Sequence, residues 1–151
     1  MAVARAPGRE WLGADRANLV AAFEWAAAQH DWECAALLLL RTFTVFYDHP
    51  TEGIALTDRC LAEQIGSEDI AMKLRCNQWY LYLRVADHVS ARSVVDRLRA
   101  SSDPVHQVFG ICHDANAVAT FDTARAASLL QRANQIQATL PPGADATQAK
   151  G

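Results

Sequence analysis

Five histidines, four cysteines and a run of arginines interleaved with aspartates are the side chains of this sequence that could do chemistry. Of the histidines, His30, His49, His88, His106 and His113, only His106 and His113 fall in one predicted helix. Seven residues of helix separate them by about 10.5 Å, too far to chelate one ion directly, so no metal is expected. Cys34, Cys60, Cys76 and Cys112 form no CxxC pair, which removes the zinc-finger and dithiol redox motifs and leaves reduced core thiols. Cys112 adjoins His113, but neighbouring helical residues point about 100° apart and do not make a thiolate–imidazole pair. There is no GxSxG nucleophile motif, and no carboxylate pair stands in an acid–base context. The sequence therefore names no catalytic residue and implies no cofactor. Arg84, Arg92, Arg97 and Arg99 alternate with Asp87, Asp96 and Asp103, the pattern of a solvated, salt-bridged helix face.

The elements that would position these groups are helices. At 151 residues the chain has the length of one domain, with 51% hydrophobic and 21% charged residues, an ordinary globular balance. Its formal charge of -3 provides no field to attract a polyanion, so nucleic acid is not an expected partner. The longest apolar region, Cys34 to Tyr47, is interrupted by Arg41 and falls short of the ~20 residues of a membrane span. No signal-peptide stretch opens the chain, and the reading is cytoplasmic.

Scarce glycine and proline divide the sequence into helix-length stretches, and none shows β alternation. The fold class is all-α, with about seven antiparallel helices. The first covers about Ala14 to Gln29, with Leu19, Ala22, Phe23 and Ala26 in one stripe. A second starts at Asp31 and runs through Phe46 as a central helix. The third starts at Pro50, turns Ile54, Leu61 and Ile65 inward, and ends at Gly66. The fourth is capped by Ser67 and carries Ile70, Leu74, Trp79, Leu81 and Val85. Asp87 opens the fifth, with Ala91, Val94, Val95 and Leu98 inward; Asp103-Pro104 opens the sixth and Asp122 the seventh. Residues 1–10 read as a flexible N-terminus, 11–140 as the helical domain, and 141–151 as a disordered tail with nothing to bury.

Ala86-Asp87-His88-Val89-Ser90-Ala91 and Phe121-Asp122-Thr123-Ala124-Arg125-Ala126 lie 35 residues apart, and His30-Asp31-Trp32-Glu33-Cys34-Ala35 follows the same logic. A small residue is followed four positions on by a larger aliphatic in each, which suits close helix approach. These segments resemble degenerate tetratricopeptide-type helix-turn-helix repeats. The usual glycine before each aspartate is replaced by His30, Ala86 or Phe121.

A second resemblance lies at the front. Trp11-Leu12, Asn18-Leu19 and Ala21-Ala22-Phe23-Glu24-Trp25, continued by Asp31 to Leu37 and Glu52-Gly53, are similar to the opening of the helical-repeat region of large actinobacterial regulators. Those are the ATPase-containing LuxR-type and antibiotic-regulatory-protein-type transcription factors. The chain departs from them in carrying no GxxxxGK[ST] loop and no DNA-reading segment, so neither activity carries over.

The resemblance implies a non-catalytic interaction or regulatory module of a bacterial signalling or transcriptional regulator, whose concave face holds a protein partner or a neighbouring domain. Matching by repeat position puts Lys73, Cys76, Tyr80, Leu83, Arg84, Val108 and Ile111 on that face. Trp79, Tyr80 and Tyr82 cannot all face one core, so at least one is expected at the surface. The alternative is a small-molecule effector sensor with an apolar pocket near those aromatics. Apolar surface left at the ends of such a stack also makes a homo-oligomer an expected possibility.

Overall fold

Four aspartates open helices in the computed structural model, and each does so by accepting a backbone N–H of the first turn. The structure describes residues 10–63 and 65–141, with side chains described from residue 16. The expected flexible N-terminus and disordered tail thus lie almost wholly outside the described residues. Asp31 accepts from the Cys34 amide at 3.0 Å, Asp87 from Ser90 at 3.0 Å, Asp103 from Val105 at 2.7 Å and Asp122 from Arg125 at 2.9 Å.

Among the described residues these caps, with Pro50 and Ser67, delimit eight helices and no strand: α1 (Glu10–Ala28), α2 (Trp32–Arg41), α3 (Phe43–Tyr47), α4 (Pro50–Ala62), α5 (Glu68–Arg84), α6 (His88–Arg99), α7 (Pro104–Val118) and α8 (Thr123–Gln137). The all-α architecture expected from the sequence is present. The count rises from seven to eight because the central helix breaks at Thr42. There the Thr42 hydroxyl donates to the Leu38 carbonyl at 2.6 Å and its amide donates to the same oxygen at 3.1 Å, while φ and ψ depart to -114° and 18°. A side chain that competes for the helical acceptor bends the chain out of register.

The chain divides into two compact units, residues 1–77 and 78–151, and α5 contributes its first half to one and its second half to the other. In the first unit, α2 packs on α1 and α4, and α3 on α1 and α4. Phe23, Ala26, Ala35, Ala36, Leu39, Phe46, Leu56, Cys60, Ile70 and Leu74 form its core. Arg59 donates to both carboxylate oxygens of Glu24 at 2.6 and 3.0 Å and lies 5.1 Å over the Phe23 ring, and Arg16 stands 3.6 Å from Glu52. Residue pairs at near-constant offset mean that α1 and α4 run parallel. The inner face of α4 is Gly53, Leu56, Thr57 and Cys60, while Ile54, Leu61 and Ile65 are only half-buried, and the helix ends at Ala62 before an extended Glu63, short of the expected Gly66.

In the second unit α6 packs against α7 and α7 against α8. Ala91, Val94, Val95 and Leu98 of α6 are buried as expected, whereas Val85, expected in the core, is 39% exposed at the end of α5.

The turns α1–α2 and α5–α6 share one geometry. His30 and Ala86 adopt φ of 58° and 57°, the left-handed region. His30 donates to the Ala27 carbonyl and Asp31 to that of Ala26; Ala86 donates to Leu83 and Asp87 to Tyr82. These are paired Schellman closures that consume the last carbonyls of one helix, and the aspartate that completes each closure caps the next helix. The α7–α8 turn is built differently: Phe121 and Asp122 both donate to Val118, without a left-handed residue.

Candidate functional site

A connected set of charged side chains lies where α6 crosses α7, and its geometry begins with a glycine. A Cβ added to Gly110 would sit 2.8 Å from both the backbone nitrogen and Cγ of Arg99 and 2.9 Å from Cβ of Leu98, so only glycine permits this approach. The Arg99 stem therefore lies across α7 at Gly110, and its guanidinium reaches Asp114 one turn further on.

The Asp114 side chain is fully removed from solvent. Its Oδ1 accepts from Arg92 at 2.8 Å and its Oδ2 from Arg99 at 2.5 Å, and Arg92 also pairs with Asp96 at 2.9 Å. The hydrogen bond to Asp96, aided by the charge of Asp114, raises Arg92 above the usual guanidinium value against the opposing effect of burial. Two acids and two bases balance, and each Asp114 oxygen already takes a guanidinium N–H. Such a carboxylate would have to release an arginine before accepting a substrate proton, so the cluster is suited to clamping two helices and not to acid–base transfer. The arginine run of α6 is thus only partly the solvated face expected from its sequence: two of its members turn inward to a buried acid.

The next residue along α7 faces another helix. His113, 7% exposed, stacks on Trp79 with ring centroids 4.2 Å apart and planes tilted by 30°, and meets the edge of Tyr80 at 5.6 Å. Its Nε2 is buried without a hydrogen-bond partner, and burial pushes the imidazole down to about 4, so it is neutral near pH 7. Cys112, by contrast, packs against the core cluster of Val108, Ile111 and Ala133 between α7 and α8, so the adjacent thiol and imidazole serve different contacts.

Ser101, Asp103 and His106 bring together the residue types of a hydrolase triad in another arrangement. Ser101 Oγ lies 3.1 Å from His106 Nδ1, and Asp103 Oδ2 lies 3.7 Å from Nε2, beyond hydrogen-bond reach. Ser101 Oγ also accepts from the Asp103 amide at 3.1 Å, while Gln107 Nε2 donates to the Ser101 carbonyl at 2.7 Å. The trio closes the start of α7. Among the described residues no group of three or more His, Cys, Asp or Glu side chains could hold a metal ion. Burial pushes the Cys60 and Cys76 thiols up to about 12 and raises Cys112 as well, which leaves them unreactive as thiolates.

The residues expected on a concave face do not stay together. Lys73 is half-buried and paired with Asp69 at 2.9 Å, and Cys76 is buried with its thiol 3.7 Å from the Met72 sulfur. Val108 and Ile111 are core residues, 3% and 2% exposed, packed with Ala133 between α7 and α8, and line no surface. Tyr80, Leu83 and Arg84 are exposed on the second half of α5, while Trp79 and Leu81 beside them are 1% exposed. The expected division of the aromatics is therefore present.

Sequence reasoning missed Asp114 and Gly110. The signal was an acid among the inward positions Ile111, Ala115 and Val118 of α7, facing arginines seven residues apart on α6. No family model matches the sequence, and neither a curated protein nor a solved structure matches the chain.

Proposed function

We propose that this chain is a non-catalytic helical interaction module of a bacterial regulator, and that Tyr80, Leu83 and Arg84 on the second half of α5 dock a protein partner or a neighbouring domain. The observation that carries this reading is the pairing of an exposed Tyr80, 41% accessible, with a rigidly seated Trp79 directly beside it. An amphipathic aromatic presented on a fixed helix loses little conformational freedom on binding, which is why tyrosine anchors so many interfaces. Leu83 lies one turn along the same face and Arg84 borders it, an apolar centre with a polar rim. The engagement of buried Asp114 by Arg92 and Arg99 supports a scaffold role. The similarity of residues 10–37 to the helical-repeat region of LuxR-type regulators supports the choice of partner class, namely the other domains of such a regulator.

The test is binding of Tyr80→Ala and Leu83→Ser chains to purified nucleotide-binding and DNA-binding domains of such regulators, by calorimetry. Each substitution is expected to weaken capture by about tenfold or more, the cost of a truncated interface anchor, with an unchanged circular-dichroism melt for Leu83→Ser and a lowered one for Tyr80→Ala, whose ring also packs on Trp79 and His113. Undiminished binding of both variants would remove this face from the interface.

A further inference from the structure

We infer that His113 is an acid-sensitive latch: while neutral it holds the second half of α5 on α7 through Trp79 and Tyr80, and when protonated it leaves that contact and uncovers Trp79. This goes beyond the docking role and does not depend on it. The geometry supplies the reason. The imidazole is nine-tenths buried between two aromatic rings, with Nε2 facing no acceptor. A proton placed there creates a buried charge with an unanswered N–H.

Among the described residues no carboxylate of the second unit is free to answer it. On α7, Asp114 is held by Arg92 and Arg99, and Asp103 caps its own helix. On α6, Asp96 pairs with Arg92, and Asp87 accepts twice from Ser90. Asp122 caps α8. The remaining ionisable groups are the Tyr80 and Tyr82 phenols and Arg84 on the second half of α5, His88, Arg92, Arg97 and Arg99 of α6, His106, turned to Ser101, and Cys112 of α7, and Arg125 and Arg132 of α8. None of them supplies a negative charge. The face of Trp79 would attract an imidazolium, but a cation–π contact returns less than the lost hydration costs.

The depressed folded-state value acts in the same direction. A base whose pKa falls on burial favours the closed state fully above its free value near 6.5, and that advantage drains away as pH falls toward about 4. The closed-to-open ratio is expected to fall by roughly 80-fold between pH 6.5 and pH 4, as it must for a base whose value drops from 6.5 to about 4 on closure.

The test is a chain in which Trp11, Trp25 and Trp32 are replaced by Phe, so that Trp79 alone fluoresces, titrated from pH 7.5 to 3.5. The emission is expected to shift to the red with a midpoint between 6.5 and 4, and His113→Phe, which keeps the stack and cannot be protonated, is expected to abolish the transition. Emission unchanged to pH 4, or the same transition in His113→Phe, would overturn the latch. Should His113→Phe not fold at pH 7 by circular dichroism, the ring titration of His113 by NMR in the unaltered chain decides: an ordinary value near 6.5 overturns the inference, and a value well below 6 upholds it.

Discussion

His30 and Ala86 occupy the left-handed region with side chains that disfavour it, because a Schellman closure at each site requires that conformation whatever residue is present. Holding a non-glycine residue there costs roughly 1–2 kcal/mol, against the roughly 0.5–1 kcal/mol that glycine adds to unfolded-chain entropy. His30→Gly and Ala86→Gly should therefore each raise stability by about 0.5–1 kcal/mol in urea unfolding. Phe121→Gly should give no gain, since the α7–α8 turn closes without a left-handed residue. The sequence already marked these three positions as lacking the glycine its repeats call for. It could not tell that two turns keep the geometry and one abandons it, because that depends on which carbonyls the turn must satisfy.

At the scale of elements, helix starts were readable and helix faces less so. Asp31, Asp87, Asp103-Pro104 and Asp122 announce α2, α6, α7 and α8 because a cap is a local interaction. The inner face of α4 was missed because Gly53, Thr57 and Cys60 look less apolar than Ile54 and Leu61, yet small residues are what a neighbouring helix can approach closely. The break at Thr42 was invisible among apolar neighbours, since its cause is a single hydroxyl aimed at Leu38. At the α6–α7 crossing the same argument yields a prediction. Gly110→Ala pushes a methyl against the Arg99 backbone and should cost about 1–3 kcal/mol, measured by denaturant unfolding, by forcing the helices apart. Gly66→Ala, where the nearest atom is a flexible Glu33 oxygen at 3.5 Å, should be close to neutral by comparison.

Across the whole molecule, two units each gather their own core, and the second secures its helices partly with charge. All-α architecture could be read from helix-length stretches between breakers, whereas the clamp at Asp114 could not, because it joins residues 15 and 22 positions apart on different helices. The aromatics of α5 had to divide between core and surface, as they do, whereas the packing of Val108 and Ile111 with Ala133 of α8 was not legible. The buried Asp114 cluster acts as a clamp between α6 and α7. Equilibrium urea unfolding of Asp114→Ala tests this most directly. Stripping one partner from a fully buried ion pair costs about 3–5 kcal/mol, and with Arg92 and Arg99 still 47% and 29% exposed the expected loss is about 2–3 kcal/mol. A variant as stable as the parent, within about 0.5 kcal/mol, would contradict the clamp and return Asp114 to consideration as a functional acid.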